Sequence, residues 1–354
     1  MAHNGYVPPV DGQVRLLTKV ARMYHEHGIR QADIAATLNI SQAKVSRLLK
    51  RATDVGIVRT TIMVAPGMHT ELEDALQQRF GLLDAVVVDI SRDDDETSVV
   101  NSIGAAAASY LEATLSGSER VGVSSWSQTL LATVERMRPF SARGASEVVQ
   151  LLGGIGLPDA QHQAQRLTGD LARVLGADAI YVQAPGVVAN RTIRDSLLNN
   201  AALAEVTRRW NALTMAIVGV GSVEPSQLLT VSGNAFVPED QERLLAAGAV
   251  GDICHHVFTV DGEDVTGELG ERTIAIPVDS YRAIPRRIGI AGGKRKHEPV
   301  LGALMGSWIN VLITDVRTAE GLVDEGLVDD GRAGDERVPA VTAAGGTLQA
   351  RADA

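Results

Sequence analysis

Several short apolar runs of this chain end in turns that are rich in hydroxyl side chains. The run Val121-Gly122-Val123 leads into a polar stretch, a pattern typical of a strand, a turn and a helix start. Free backbone N–H groups at such a helix start favour an anion or a hydroxyl-rich ligand. The hydroxyl and amide side chains add further donors and acceptors. The candidate ligand-binding residues of this turn are Ser124, Ser125, Ser127, Gln128 and Thr129.

Three further segments repeat this logic: Gly219–Ser222, Gly251-Asp252 and Gly292–Lys294. We expect each of them to be a turn after a strand, although a glycine there is often only a turn residue. Ligands of open α/β sheets bind beyond the carboxyl ends of the strands, so these turns are expected to converge. In such a pocket Asp252 would accept hydrogen bonds from sugar hydroxyls, and Lys294 would bind a phosphate or another oxyanion. The other candidates in these segments are Gly221 and His255.

A different chemistry is indicated near the N-terminus, where residues 31–50 fit a helix-turn-helix. Ala35 is small enough for a second helix to cross closely, and Asn39 tolerates the left-handed conformation of a tight turn. Ser41 can cap the second helix, which buries Val45 and Leu48. The opposite face is predicted to enter the major groove of DNA, and its candidate residues are Gln42, Ala43, Lys44, Ser46, Arg47, Lys50 and Arg51. The expected base contacts are Gln42 with adenine and Lys44 and Arg47 with guanine, while Lys50 and Arg51 hold phosphates.

The distribution of charge supports a basic module on an acidic body. The whole chain has a net charge of −10, yet residues 13–59 hold nine Lys and Arg against three acids. This segment therefore carries +6, and the rest of the chain carries −16. A basic N-terminal module is suited to nucleic acid.

From about residue 83 onward, β-branched runs alternate with helical stretches. Several runs are continuously apolar, which is typical of parallel strands covered on both faces. The predicted strands are Ala85–Asp89, Arg120–Ser124, Glu147–Leu152, Ala179–Val182, Met215–Val220, Thr273–Ile276, Ile288–Ala291 and Asn310–Thr314. The predicted fold class is thus α/β, with an N-terminal helix-turn-helix followed by a doubly wound, mostly parallel domain.

The expected domain limits follow from these patterns. We predict a disordered leader over residues 1–12, the helix-turn-helix domain over 13–64, a linker helix over 65–82, the α/β domain over 83–324 and a flexible tail over 325–354. Residues Ile57–Met63 alternate like a strand. In the linker helix, Thr70 and Glu73 have the spacing of a capping box, and the helix could pack on the body or on a partner subunit.

Composition excludes several classes of protein. The single cysteine, Cys254, rules out an intramolecular disulfide and fits a reducing, cytoplasmic compartment. No apolar run reaches 18 residues, so no membrane span is expected. We expect no cofactor and no metal, since the adjacent pair His255 and His256 lacks a third ligand at a suitable spacing.

The chain resembles the SorC family of sugar-responsive transcriptional regulators over roughly residues 14–325. The residues that carry the resemblance are Ile34-Ala35, Val45–Leu49, Phe80–Leu82, Val121–Ser124 with Trp126, Val149–Gly154, Ala184–Gly186, Gly248–Ile253, Ile290–Lys294 and Ile309–Asp315. The resemblance implies a winged helix-turn-helix that binds operator DNA and an effector domain similar to sugar-phosphate isomerases. It also implies a homo-oligomer, a dimer or a tetramer, whose sugar, polyol or sugar-phosphate effector changes its affinity for DNA.

Two positions depart from the family pattern. Family members commonly have glycine where Ser127 stands, and they often have glycine and arginine in the segment that holds His255 and His256. Both departures fall in the expected pocket and favour a neutral polyol over a phosphorylated effector.

Three alternatives remain open at the level of the sequence. One is an isomerase-like enzyme with Asp252, His255 or Glu263 as its general base, although no spacing selects one of them. Another is a dinucleotide-binding protein, but neither Gly154–Asp159 nor Gly219–Glu224 completes the motif GxGxxG. The third is a DNA-binding protein that has no effector.

Overall fold

The computed structural model describes residues 12–59, 67–91, 95–156 and 158–333. The chain divides into two units, residues 1–65 and residues 66–354. Each unit has its own apolar core.

The first unit has the three helices expected of a helix-turn-helix. They are α1 (Gly12–His25), α2 (Gln31–Leu38) and α3 (Gln42–Asp54). The side chains of Ile34, Val45 and Ala52 are fully buried between them. Asn39 has a φ of 52°, and the Ser41 hydroxyl accepts a hydrogen bond from the Lys44 backbone N–H at 3.2 Å. The predicted turn and helix cap are therefore confirmed.

Parts of the N-terminal expectations fall outside the described residues. The predicted strand over Ile57–Met63 lies mostly there, since the structure describes only residues 57–59 of it and shows no strand in them. The predicted leader lies there except for Gly12, which is the first residue of α1.

The second unit is built on a sheet of parallel strands. Among the residues that the structure describes, its strands are β1 (Asp84–Val88), β2 (Arg120–Val123), β3 (Glu147–Gln150), β4 (Asp178–Ile180), β5 (Met215–Val218), β6 (Gly221–Ser222), β7 (Ala249–Ile253), β8 (His256–Thr259), β9 (Arg286–Ile290) and β10 (Val311–Asp315). Seven of them form one parallel sheet in the order β1-β10-β9-β5-β2-β3-β4. The predicted mostly parallel α/β architecture is confirmed.

Apolar side chains cover both faces of this sheet, as the continuous apolar runs predict. Along β5, Ile217 packs into one apolar cluster, while Ala216 and Val218 pack into the other. Successive residues of a strand point to opposite faces, so a strand buried on both sides needs apolar residues at every position.

Helices supply the two covering layers. In the described part of the second unit they are α4 (Thr70–Phe80), α5 (Glu96–Thr114), α6 (Gln128–Arg136), α7 (Pro158–Leu175), α8 (Arg191–Leu198), α9 (Ala201–Trp210), α10 (Gln227–Ser232), α11 (Pro238–Ala246), α12 (Val278–Arg282), α13 (His297–Met305) and α14 (Val316–Ala333). None of these helices is long and apolar enough to cross a bilayer.

The predicted linker helix corresponds to α4, which packs within the second unit through the fully buried Leu76. The capping-box prediction for this helix is wrong. His69 occupies the N-cap position and makes no side-chain cap, while Thr70 is already helical. The Glu73 carboxylate instead accepts a hydrogen bond from the Val87 backbone N–H of β1 at 3.0 Å, so a tertiary contact takes the place of the local one.

The C-terminal helix continues beyond the limit predicted for the effector domain. A flexible tail was expected from residue 325, but α14 extends to Ala333. The remainder of the predicted tail, residues 334–354, lies outside the described residues.

A small antiparallel sheet, β6-β7-β8, was not predicted. It contains Gly251 and Asp252, so the expectation that these residues form a turn after a strand is wrong: they lie within β7. The same expectation is wrong for Gly221 and Ser222, which form β6. Thr273–Ile276 is also not a strand of the main sheet. It is an extended segment with isolated bridges to Leu152 and Val187.

The left-handed conformation of Asn39 gives a direct test of the helix-turn-helix. A β-branched residue at this φ costs about 1–2 kcal/mol, so Asn39→Val should speed the amide hydrogen exchange of α3 by about fivefold to thirtyfold in the full-length chain. Asn39→Gly should leave the exchange rates within about threefold. Equal exchange rates in the two variants would contradict this conformation.

Candidate functional site

The outer face of α3 presents all of the predicted DNA-contacting residues to solvent. Gln42, Ala43, Lys44, Ser46, Arg47, Lys50 and Arg51 are each exposed. Within the described part of the chain, the side chains of the four cationic residues among them make no ion pair. Their charges are therefore available to a polyanion, while Val45, Leu48 and Leu49 hold the helix from its other side.

A cavity of about 140 Å³ opens where the strand order of the main sheet reverses. After β2 the chain builds outward through β3 and β4 on one side, and β5, β9 and β10 follow on the other side. The connections after β2 and β5 therefore leave in opposite directions and open a crevice at the carboxyl ends of these neighbouring strands. This is the ligand-binding position of open α/β sheets.

The turn after β2 forms one wall of this cavity and is held by backbone and side-chain hydrogen bonds. The Ser124 hydroxyl accepts from the Gly219 backbone N–H at 3.1 Å, which ties this turn to the turn after β5. The Ser125 hydroxyl donates to the Leu152 carbonyl at 3.2 Å. Ser127 caps α6, with its hydroxyl accepting from the Leu130 backbone N–H at 3.3 Å. A Cβ on Gly219 would lie 2.6 Å from the Ser127 Oγ, so only glycine fits this approach.

The facing wall comes from the small antiparallel sheet. Gly221 of β6 pairs with Asp252 of β7, and a Cβ on Gly221 would lie 1.9 Å from the Asp252 Oδ1. The absence of a side chain at Gly221 therefore makes room for the Asp252 carboxylate at the cavity. Burial raises the pKa of Asp252, and its hydrogen bond from the His255 backbone N–H and the charge of Lys296 oppose that rise.

The turn between β7 and β8 carries His255 into the cavity wall. Cys254 and His255 have φ values of 52° and 65°, as in the two-residue hairpin turns that favour asparagine and glycine. The His255 side chain is almost fully buried and its ring lies 4.6 Å from that of Phe236, centroid to centroid. Burial, with a smaller contribution from His256, lowers the pKa of His255 to about 3. The ring is therefore uncharged at neutral pH.

The neighbouring His256 serves a different purpose. Its Nε2 lies 2.7 Å from the Ile276 carbonyl oxygen, and it does not line the cavity. The two histidines thus face different surroundings. Among the described residues no cluster of three or more His, Cys, Asp or Glu has an arrangement suited to a metal ion.

The basic segment after β9 contributes other residues than the one predicted. Lys294 is exposed and does not line the cavity, whereas Arg295 and Lys296 do. The three residues form a 3₁₀ turn, in which successive side chains point about 120° apart. Burial lowers the pKa of Lys296, and the charge of Asp252 partly offsets this. Arg295 pairs with Glu224.

The structure thus brings eight of the nine predicted effector residues to one cavity. They are Ser124, Ser125, Ser127, Gln128, Thr129, Gly221, Asp252 and His255. Lys294 is the exception. Trp126, Arg295 and Lys296 also line the cavity, although the sequence did not predict them as ligand-binding residues. The segment 294–296 has three adjacent cations, and nothing in the sequence selects between them.

Several known proteins are similar to this chain over most of its length. Residues 66–324 match the family model named Sugar-bind, a sugar-binding domain. The chain is 32% identical to the sorbitol operon regulator of Klebsiella pneumoniae over 88% of this chain and 98% of that protein. It is 31% identical to the deoxyribonucleoside regulator of Bacillus subtilis (strain 168) over 88% of this chain and 97% of that protein.

A solved structure is similar over the same extent. The crystal structure of the full-length sorbitol operon regulator SorC from Klebsiella pneumoniae matches with a TM-score of 0.66 and 30% sequence identity. The match covers 88% of this chain and 100% of that chain.

The buried, uncharged His255 makes stability depend on pH. The folded-state pKa of His255, about 3, lies below the ordinary value of 6.5. As the pH falls from 6.5 toward 3, the unfolded chain binds a proton at this histidine and the folded chain does not. The contribution of the neutral ring to the free energy of unfolding is therefore present above pH 6.5 and is lost over this range. Between pH 7.5 and 5.5 the free energy of unfolding should drop by about 1.4 kcal/mol more in the wild type than in His255→Asn. Tryptophan fluorescence during urea unfolding measures this, because all three tryptophans lie in the second unit. Identical pH dependence in both proteins would contradict a buried neutral ring.

Proposed function

Because the chain belongs to the SorC family of sugar-binding transcriptional regulators, we propose that it regulates a carbohydrate or polyol catabolic operon. In this proposal the first unit binds operator DNA and the second unit binds a sugar, polyol or sugar phosphate. The bound effector then controls the affinity for the operator.

The observation that carries the effector half is the cavity at the reversal of strand order. The hydroxyl and amide side chains of residues 124–129 meet the Asp252 carboxylate and the His255 imidazole there. Such a wall offers both donors and acceptors, as a polyhydroxy ligand requires. Its position beyond the carboxyl ends of β2 and β5 is the usual ligand position of this fold class.

The DNA half is supported by α3. Its outer face combines Gln42 and Ala43 near the helix N-terminus, where base edges are read, with Lys44, Arg47 and Lys50. We assign base contacts to Gln42, Lys44 and Arg47 and phosphate contacts to Lys50 and Arg51. Ala43 and Ser46 lie on the same face and would approach the groove with them.

The relatives are regulators rather than enzymes, which decides against an isomerase-like activity. Of the three residues weighed as a general base, Asp252 and His255 line the cavity, and Glu263, which is exposed, does not. A fold similar to that of sugar-phosphate isomerases does not itself imply catalysis.

The proposal includes a homo-oligomer, a dimer or a tetramer, which acts in the cytoplasm. Paired helix-turn-helix units would then occupy adjacent operator half-sites. An effector that binds one arrangement of subunits better than another changes the operator affinity by that difference in affinity and by no more.

Arg47→Ala should weaken binding to an operator-length duplex by about tenfold or more, because a bidentate contact to guanine is lost. Effector binding should be unchanged. Arg173→Ala is a matched control, since this exposed arginine of the second unit pairs with Asp170 and should leave DNA affinity unaltered. Fluorescence anisotropy at two salt concentrations is the measurement, and a wild-type affinity that does not vary with salt would contradict DNA binding.

Gln128→Ala should have the converse effect. Loss of one hydrogen bond to a ligand hydroxyl weakens effector affinity by about threefold to tenfold, while operator affinity without effector stays the same. Isothermal titration calorimetry measures the effector affinity, with the compound that gives the largest thermal shift. Fluorescence anisotropy measures the operator affinity. If Gln128→Ala weakened operator binding but not effector binding, the two-site division would fail.

A further inference from the structure

The His255 imidazole is a buried polar group that the fold itself does not explain. Its side chain is 2% exposed, and neither ring nitrogen has a hydrogen-bond partner among the residues that the structure describes. Buried polar groups are nearly always hydrogen-bonded. The ring lines the cavity, and its backbone holds a positive φ that a residue other than glycine adopts only at a cost in energy.

A second unpartnered group lines the same cavity. Trp126 is 9% exposed, and its indole Nε1 has no acceptor within the described part of the chain. The chain's other two tryptophans differ in this respect: Trp210 donates to the Gln150 carbonyl and Trp308 to the Gly262 carbonyl. The missing acceptor is thus particular to the tryptophan at the cavity.

The charges of the lining do not favour an anion. They comprise three carboxylates, Glu96, Glu224 and Asp252, against two cations, Arg295 and Lys296. Arg295 is already paired with Glu224. A phosphate group carries a charge of about −1.5 to −2 at neutral pH and would enter a lining whose cations are outnumbered.

The start of α6 is also less available to an anion than a bare helix N-terminus would be. The Ser127 hydroxyl already accepts from the Leu130 backbone N–H, which uses one of the N–H groups that would otherwise point at an anionic ligand. A hydroxyl group, in contrast, can both donate and accept. It therefore matches a neutral imidazole, which has one donor and one acceptor, and an indole N–H, which has a donor alone.

We propose that His255 and Trp126 are specificity-determining residues that hydrogen-bond uncharged hydroxyl groups, so that the effector is a neutral polyol rather than a sugar phosphate. This rests on the proposed function, because it assigns a chemical class to the ligand of the same cavity. The lowered pKa of His255 agrees with it, since an uncharged ring keeps both its donor and its acceptor.

The first test compares neutral and phosphorylated ligands on the full-length protein. The probes are D-sorbitol, D-mannitol, xylitol and ribitol, each paired with its terminal monophosphate, in thermal-shift and calorimetric titrations. We expect at least one neutral polyol to bind at least tenfold more tightly than its monophosphate. Tighter binding of the monophosphates throughout would overturn the inference and leave the proposed function standing.

Variants then test the two residues. His255→Gly accepts the positive φ and removes the ring, and should weaken binding of the preferred polyol by about tenfold. His255→Asn tolerates the same backbone and keeps a donor and an acceptor, so its affinity should stay within about threefold of the wild type. Trp126→Phe removes the N–H and keeps an aromatic ring, and should weaken binding by about threefold to tenfold.

His256→Asn is the matched control, because this neighbouring histidine does not line the cavity and its substitution should leave polyol affinity unchanged. Unchanged affinity in both His255→Gly and Trp126→Phe would overturn the inference, and so would equal losses in His255→Gly and His255→Asn. If none of the polyols or monophosphates binds, the inference is overturned, and the effector half of the proposed function fails as well only if sugars and sugar phosphates do not bind either. That result is distinct from a reversed preference for phosphates.

Discussion

The parallel pairing of β2 with β5 is the contact on which the cavity depends. Hydrogen bonds between these strands continue past their ends, since the Ser124 backbone N–H donates to the Ile217 carbonyl and the Gly219 backbone N–H donates to the Ser124 hydroxyl. The two turns are thereby held together, although 95 residues separate Ser124 from Gly219. Because the following connections leave toward opposite sides, the crevice between the turns stays open to a ligand. This pair of strands therefore positions the wall that residues 124–129 form.

The small antiparallel sheet turns this open crevice into a lined cavity. It brings Asp252 opposite Gly221 and ends in a turn with two left-handed residues, Cys254 and His255. Burying a carboxylate and an imidazole without full hydrogen bonding is unfavourable, and so is the left-handed backbone. Local strain and unsatisfied polar groups of this kind are concentrated where proteins bind ligands. The cavity wall therefore retains groups that lower the stability of the fold, as is typical of a ligand-binding site.

The sequence predicted the features that arise from local periodicity and missed those that depend on tertiary contacts. Continuous apolar runs indicate strands such as β5 and β10, and the pattern Ala35, Asn39, Ser41 indicates the helix-turn-helix turn, because hydrophobic spacing and backbone preference are local. The spacing of Thr70 and Glu73 predicts a capping box, but the Glu73 carboxylate accepts a hydrogen bond from the Val87 backbone N–H of β1 instead. Thr273–Ile276 has strand composition and bridges two loops instead. At the cavity, the choice of Lys296 over Lys294 depends on the direction of a 3₁₀ turn, and spacing does not encode that direction.

Control of DNA affinity by a ligand of the second unit is the central claim, and thermodynamic linkage tests it most directly. The dissociation constant for an operator-length duplex is measured with and without saturating ligand, and that of the ligand is measured with and without saturating duplex, at one salt concentration. The account predicts that the two ratios are equal and differ from one by about fivefold or more. Ratios equal to one in both directions, for a ligand that binds the cavity, would contradict it.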